Sequence, residues 1–248
     1  MNADVIWHDL ECGAYEQDLP LWFELAAAFA SAPGRRVLDV GAGTGRVSLA
    51  LARVGHEVLA LDLDRELLAA LTERARGEGL SVETLHADAR KLELPGQLFA
   101  LCVVPMQTIQ LFGGDEARRD FIGAAAGHLV PGGVLAIAIA ATENFEEFEW
   151  HDGDPFPLPD MLERDANVYC SQPTAVRRDG VTFKLERRRE IIDPTGERQQ
   201  SQNVIVLDTV TAAGIEEAGR RAGLKPLGVR GIAPTGEHIG SEVVLLGG

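Results

Sequence analysis

Val37-Leu38-Asp39-Val40-Gly41-Ala42-Gly43-Thr44-Gly45 sets how every other segment is read. A short apolar run carries one acid and then breaks into alternating glycines. Gly41, Gly43 and Gly45 allow a tight turn and a close approach where a Cβ would collide. Arg46 to Arg53 follows with helical apolar spacing. A strand, a glycine loop and a helix N-terminus make a nucleotide cradle of an open α/β sheet.

The kind of nucleotide turns on small departures. In the dinucleotide fingerprint the third glycine follows two intervening residues. Here it comes one residue early, and Arg46 takes the position that the fingerprint gives to glycine. Asp39 stands two residues before the first glycine. A carboxylate at a strand end, facing backbone N–H groups and a helix N-terminus, can be satisfied there. It repels a diphosphate and favours a ligand that carries positive charge. S-adenosylmethionine (SAM) has an ammonium, a sulfonium and no phosphate.

Outward from this stretch the chain alternates strand and helix. Asp18–Ala30 reads as a helix that Pro33-Gly34 stops, and residues 1–16 read as irregular. Strands are expected at 35–40, 57–61, 81–85, 98–104 and 133–140. Helices are expected from Arg46 to about Val54, from the Asp64 cap to about Arg76, and at 115–129. This rhythm implies parallel pairing with right-handed crossovers. Ligands of such sheets lie beyond the carboxyl ends of the strands. Asp62, Asp88 and the loop from Pro105 converge there.

These segments resemble the class I SAM-dependent methyltransferases. Val37–Gly45 is similar to motif I of that family. Leu59-Ala60-Leu61-Asp62 is similar to its second strand, His86-Ala87-Asp88-Ala89 to its third-strand motif, and Leu98–Leu111 to its fourth strand and following loop. His128–Leu135 is similar to its helix end, Pro-Gly-Gly turn and fifth strand. The resemblance implies that Gly41, Ala42, Gly43 and Gly45 line the methionine part of SAM, with Asp39 organising the loop near the ammonium. It implies that Asp62 accepts from the ribose hydroxyls, and that Asp88 accepts from the adenine amino group with Ala89 giving a backbone contact. Leu63 and Val104 count with the cofactor contacts. Tyr15 takes the place of an N-terminal aromatic over the cofactor; its other reading is a packed aromatic. Asp62 alone serves a nicotinamide cofactor's ribose equally well, and Asp88 alone reads as a helix N-cap.

Pro105-Met106-Gln107-Thr108-Ile109-Gln110 resembles the Pro-aromatic-Asn-Ser-Leu-Gln loop of methyltransferases acting on small metabolites. Gln107 departs from the Asn, and Ala100 replaces an acid common in the fourth strand. Gln107 and Gln110 are expected at the acceptor, together with Trp150 and His151. Residues 143–154 carry Phe145, Phe148, Trp150 and His151 among six acids. They read either as an aromatic and acidic mouth for a cationic amine or as an amphipathic helix packed on the sheet. His151 is a candidate base for a hydroxyl acceptor or a solvent-facing residue. The family has no universal catalytic residue, and none is assigned.

After Ala140 the pattern changes. Val181–Glu186 alternates apolar and polar residues, Asp179-Gly180 is a hairpin signal, and Asp193–Gly196 a second turn. An antiparallel meander over 168–210 precedes a last helix at 211–222 and strands at 224–231 and 242–246. The expected fold is α/β: a Rossmann-like seven-stranded, mostly parallel sheet with an antiparallel strand insertion before the last helix. Four regions follow: an N-terminal cap and helix (1–34), the SAM-binding core (35–141), the antiparallel substrate or lid region (142–210), and the last helix with a terminal hairpin (211–248).

Composition narrows the partners. The 248 residues carry a formal net charge of −15, which opposes nucleic-acid binding. Arg187-Arg188-Arg189 reads as a solvated sheet face. Cys12, Cys102 and Cys170 are scattered without a C-x-x-C, and the six histidines show no ligand spacing, so no metal is expected. The start of the chain has no apolar signal region and no run is long enough to cross a bilayer, which points to the cytoplasm. A small-molecule acceptor is expected, with no membrane partner; a homodimer is compatible with the sequence. Against the methyltransferase reading stand a non-catalytic SAM-binding or scaffold protein and an NAD(P)-binding oxidoreductase.

Overall fold

The structure, a computed structural model, describes residues 2–32, 34–140, 145–154, 157–235 and 238–248. Pro33, expected to stop the first long helix, and the boundary expected at 141–142 lie outside them. The chain begins with α1 (Ala3–His8) and one π-helical turn, Asp9–Gly13, where the sequence reads as irregular. The Asn2 side chain accepts from the Asp4 N–H, and Val5, Ile6 and Trp7 are buried. A six-residue helix is too short to stand on propensity alone. Tertiary packing of its apolar residues forms it.

α2 (Leu19–Phe29) then leads to β1 (Val37–Val40), all of it buried. Next come α3 (Arg46–Arg53), β2 (Val58–Asp62), α4 (Arg65–Glu78), β3 (Val82–His86) and β4 (Phe99–Val104). Asp64 caps α4 by accepting from the N–H groups of Glu66 and Leu67, and left-handed Gly79 ends it. α5 (Asp115–Gly127) precedes β5 (Leu129–Ala140). The expected and observed ends differ by at most four residues.

Beyond the core lie β6 (Phe148–Glu149), β7 (Asp160–Arg164), β8 (Asn167–Asp179), β9 (Thr182–Ile192) and β10 (Arg198–Asp208). α6 (Ala212–Arg221), β11 (Lys225–Ile232) and β12 (Ser241–Gly247) complete the chain. The large sheet has the order β11-β12-β5-β4-β1-β2-β3. β3, β2, β1, β4 and β5 run parallel, and β12 and β11 antiparallel. The second sheet has the order β10-β9-β8-β6, with β7 also paired to β8. Residues 142–167 show no period in sequence, so β6 and β7 were not expected. Each is short and stands on its pairing with β8.

Two apolar layers sandwich the large sheet. Leu38, Phe99, Leu135 and Ile137 pack against Phe121 and Ile122 of α5 and Ile215 of α6. On the other face Val37, Leu101 and Val103 meet Trp22 and Leu25 of α2 and Leu51 of α3. Each such side chain contributes about 1.5–3 kcal/mol on burial. All six residues of β4 are buried, as a strand covered on both faces must be. This rigid sheet fixes the carboxyl ends of β1, β2 and β4 side by side.

Candidate cofactor site

Asp39 is fully buried in β1 on the face that α3 covers. Its Oδ2 accepts from the Ser48 hydroxyl at 2.6 Å, and its Oδ1 has no hydrogen-bond partner among the described residues. Desolvation pushes its pKa up to about 6, against the opposing pull of Ser48 and Arg46. The Gly41 and Ala42 N–H groups donate to the Leu61 carbonyl, which folds the loop against β2. Gly41 has φ +74°, and a Cβ there would collide with the Thr108 side chain. At Gly43 it would meet the His8 imidazole, and at Gly45 the Leu71 side chain. The glycines thus admit three protein segments: the loop after β4, the N-terminal cap and α4. Gly45 is the N-cap of α3, and a Cβ on it would meet Leu71 of α4.

Asp62 closes β2. Its Oδ2 accepts from the Gly43 N–H at 2.7 Å and its Oδ1 from the Asp64 N–H at 2.9 Å. A carboxylate offers about four lone-pair sites, so each oxygen retains capacity for a ligand hydroxyl. Leu63 beside it is largely exposed. Asp88 follows β3 and does act as an N-cap, accepting from the Arg90 N–H. The Arg90 guanidinium also grips both its oxygens, at 2.8 Å for the shortest contacts. That pair is partly exposed, and breaking such a pair costs about 0–1 kcal/mol. Ala89 and Val104 are buried.

The N-terminal cap covers this loop. His8 presents Nδ1 to the Thr44 hydroxyl at 3.2 Å, and burial lowers its pKa against the opposing charges of Asp62 and Asp9. Asp9 accepts from Thr44 and pairs with Arg74 of α4. Glu11 takes a bidentate Arg189 at 2.7–2.8 Å and the Ser171 hydroxyl, which fastens the cap to the second sheet. Trp7 meets Tyr169 of β8 edge-on. Tyr15 is buried beneath the Arg46 guanidinium, 5.2 Å from its ring, and Arg46 donates to the Tyr15 carbonyl. Asp18 accepts from both Arg46 nitrogens and from Trp22 Nε1. Sequence reading did not assign His8, Arg46 or Thr108 to the loop. Only the Arg46 position next to Gly45 carried a signal.

The loop after β4 holds Met106 at φ +54°, a conformation costly for a side-chain-bearing residue. Gln107 stands beside it, half-buried. Gln110 is corrected. It is fully buried, its Nε2 donates to the Asp208 carbonyl and its Oε1 accepts from the Ala140 N–H. Both ends of its amide are spent tying the second sheet to β5, so it does not face an acceptor. Arg118 and the Gly114 N–H reinforce that tie at the Asp208 carboxylate. Trp150 and His151 lie beside β6 and not on a helix, so the amphipathic-helix reading fails. Arg188 covers the Trp150 ring, and the His151 side chain is 73% exposed beside Asp154. That exposure takes His151 away from the position a buried base needs. Phe145 stacks on Phe183 of β9. A separate cleft, lined by Phe23, Ala27, Val54 and His56, sits by the amino ends of β1 and β2, at the far end of the sheet from these acids.

Residues 37–133 match a family described as a methyltransferase domain. An uncharacterised protein of Mycobacterium tuberculosis is 35% identical over 53% of this chain and 47% of its own length. A ubiquinone biosynthesis O-methyltransferase of Sinorhizobium fredii is 29% identical over 60% of this chain and 64% of its own. The chain spans about half the length of the mycobacterial relative. Among solved structures, the sugar N-methyltransferase KedS8 from Streptoalloteichus is similar in fold, with TM-score 0.74 and 19% identity, covering 98% of this chain and 92% of that one. SAM-bound CalS10, an amino pentose methyltransferase from Micromonospora echinaspora, has TM-score 0.71 and 20% identity over 99% and 97%.

Proposed function

We propose that this chain, which belongs to the class I SAM-dependent methyltransferase family, transfers a methyl group from SAM to an oxygen or nitrogen of a small-molecule acceptor. The observation that carries the reading is the unpartnered buried Oδ1 of Asp39 beneath the glycine loop. A buried carboxylate oxygen without a donor is costly, and an ammonium group supplies that donor. Bound SAM would supply a methyl already activated on a sulfonium.

The chain's own residues then bind, orient and exclude water. Asp39 and the 41–43 backbone would hold the amino-acid end. The spare lone pairs of Asp62 would take the ribose hydroxyls, with Leu63 beside them. Asp88 would meet the adenine amino group once Arg90 swings aside, with Ala89 and Val104 lining the pocket. Tyr15 and His8 would close the cap over the loop. The second sheet and Gln107 would bound the acceptor. Sugar N-methyltransferases and a quinone-pathway O-methyltransferase among the likenesses support a small acceptor and leave its attacked atom open between N and O.

The net charge of −15 speaks against nucleic acid as the acceptor. No helix is long and apolar enough to cross a membrane among the described residues, and the three cysteines are free. Both facts support a cytoplasmic place. Calorimetry with SAM and with NAD tests the cofactor: SAM binding alone is expected, and NAD binding alone refutes it. Formation of S-adenosylhomocysteine with a panel of amines and hydroxyl compounds separates an enzyme from a scaffold that only binds SAM.

A further inference from the structure

We propose that His238 takes the proton from the acceptor during transfer, an inference that rests on the methyltransferase reading above. The other five histidines are placed for other work. His56, His86 and His128 hold the carbonyls of Ala30, Leu63 and Gln97 at 3.3, 2.9 and 3.0 Å. His8 faces the Thr44 hydroxyl beside Asp62. His151 stands in solvent.

His238 lies three residues before Ser241, which opens β12 and pairs with Ala140 at the carboxyl end of β5. In the sheet order, β4, β5 and β12 lie on one side of β1, and β2 with Asp62 on the other. His238 is therefore on the rim opposite the ribose side. Its ring meets Tyr15 edge-on, with centroids 5.0 Å apart and planes at 75°. Tyr15 is fastened to the start of α3 through Arg46, so the imidazole rests on an aromatic anchored beside the glycine loop.

Two hydrogen bonds tie His238 to Thr235. The His238 N–H donates to Thr235 Oγ1 at 3.0 Å, and the Thr235 N–H donates to the His238 carbonyl at 2.8 Å. Gly240 allows the turn to close, since a Cβ would come within 2.9 Å of the Ile232 carbonyl oxygen. His238 is half-buried, and among the described residues no hydrogen bond occupies its ring nitrogens. Among the described residues, the Tyr15 phenol, beside Ser241, faces the ring, and the Asp18–Arg46 pair lies behind the phenol.

The step balances. The acceptor's lone pair forms a bond to the methyl carbon as the C–S bond breaks, and that bond's electron pair stays on sulfur. The sulfonium becomes a neutral thioether. The acceptor's O–H or N–H proton passes to an imidazole nitrogen of His238, and the imidazolium returns it to water.

The test needs no acceptor. SAM carries a sulfonium charge that S-adenosylhomocysteine lacks, and a base near that charge loses its proton more readily. The full chain, labelled with nitrogen-15 throughout and with carbon-13 at histidine Cε1, is titrated by NMR in the presence of each compound. His238→Gln assigns the signal, and triple-resonance assignment of the wild type replaces it should that variant not fold. With SAM, the proton dissociation constant of His238 is expected to be about threefold or more larger than with S-adenosylhomocysteine. The Gly41 and Gly43 amides are expected to shift with both. Equal constants with shifted amides overturn the role of His238 and leave the cofactor reading intact. Unmoved amides with both compounds overturn the cofactor reading, and the inference with it.

Discussion

Asp39 carries a pH signature. Its carboxyl has a folded pKa of about 6 against an ordinary 3.8. A raised acid stabilises the folded chain at low pH, and that contribution is lost as pH rises from 3.8 through about 6. A cationic ligand wants the ionised form, so SAM affinity should rise with pH through about 6 and then level. Calorimetry at several pH values should show this for the wild type and a flat profile for Asp39→Asn. Asp62→Ala removes the acceptor for the Gly43 N–H as well as for the ligand. It should weaken SAM binding by about 1–3 kcal/mol, with unchanged affinity counting against the site. Gly45→Ala forces a Cβ onto Leu71 at φ +97°. Overpacking of this kind costs about 1–3 kcal/mol, which a thermal melt would read as a drop of several degrees. The positions of the three acids were legible in sequence because Asp39 lies inside a strand, Asp62 ends one and Asp88 follows one, each within a local motif. Thr108 against Gly41 and His8 against Gly43 were not, since both contacts cross the chain and depend on how loops fold back.

The N-terminal cap stands on long-range ion pairs. Glu11 sits in a half-buried fork with Arg189, and the Glu11 side chain is 7% exposed. Desolvation alone would raise its pKa, yet Arg189 and Ser171 hold it below the usual range. Arg189→Ala leaves that carboxylate buried without its cation, which should cost about 3–5 kcal/mol. Adding Glu11→Ala should recover part of the loss in denaturant melts. An equal or greater loss in the double variant would show that the pair does not couple cap to sheet. Periodicity found α2–α6 and the core strands, where apolar spacing repeats over several residues. It missed α1, β6 and β7. Each is six residues or fewer, and each exists because a neighbour packs or pairs with it. Arg187-Arg188-Arg189 read as a solvated face, but Arg187 and Arg189 pair with Asp160 and Glu11, so the triplet is a fastening.

At the scale of the whole molecule, a mostly parallel sheet lines up the strands that carry the three acids, while the N-terminal cap packs on the glycine loop and is fastened to the second sheet. Alternating strands and helices imply parallel pairing with right-handed crossovers, so the mostly parallel sheet was readable, though not its strand order. The placement of the second sheet was not, because it is set by Gln110, Asp208 and Glu11, whose partners lie 30 to 178 residues away. The most direct measurement is a crystal structure grown with S-adenosylhomocysteine. The expected electron density has ribose hydroxyls on Asp62 and the amino group at Asp39 below the glycine loop. Density in the cleft by the amino ends of β1 and β2, with the Asp39–Asp62 edge empty, would contradict it.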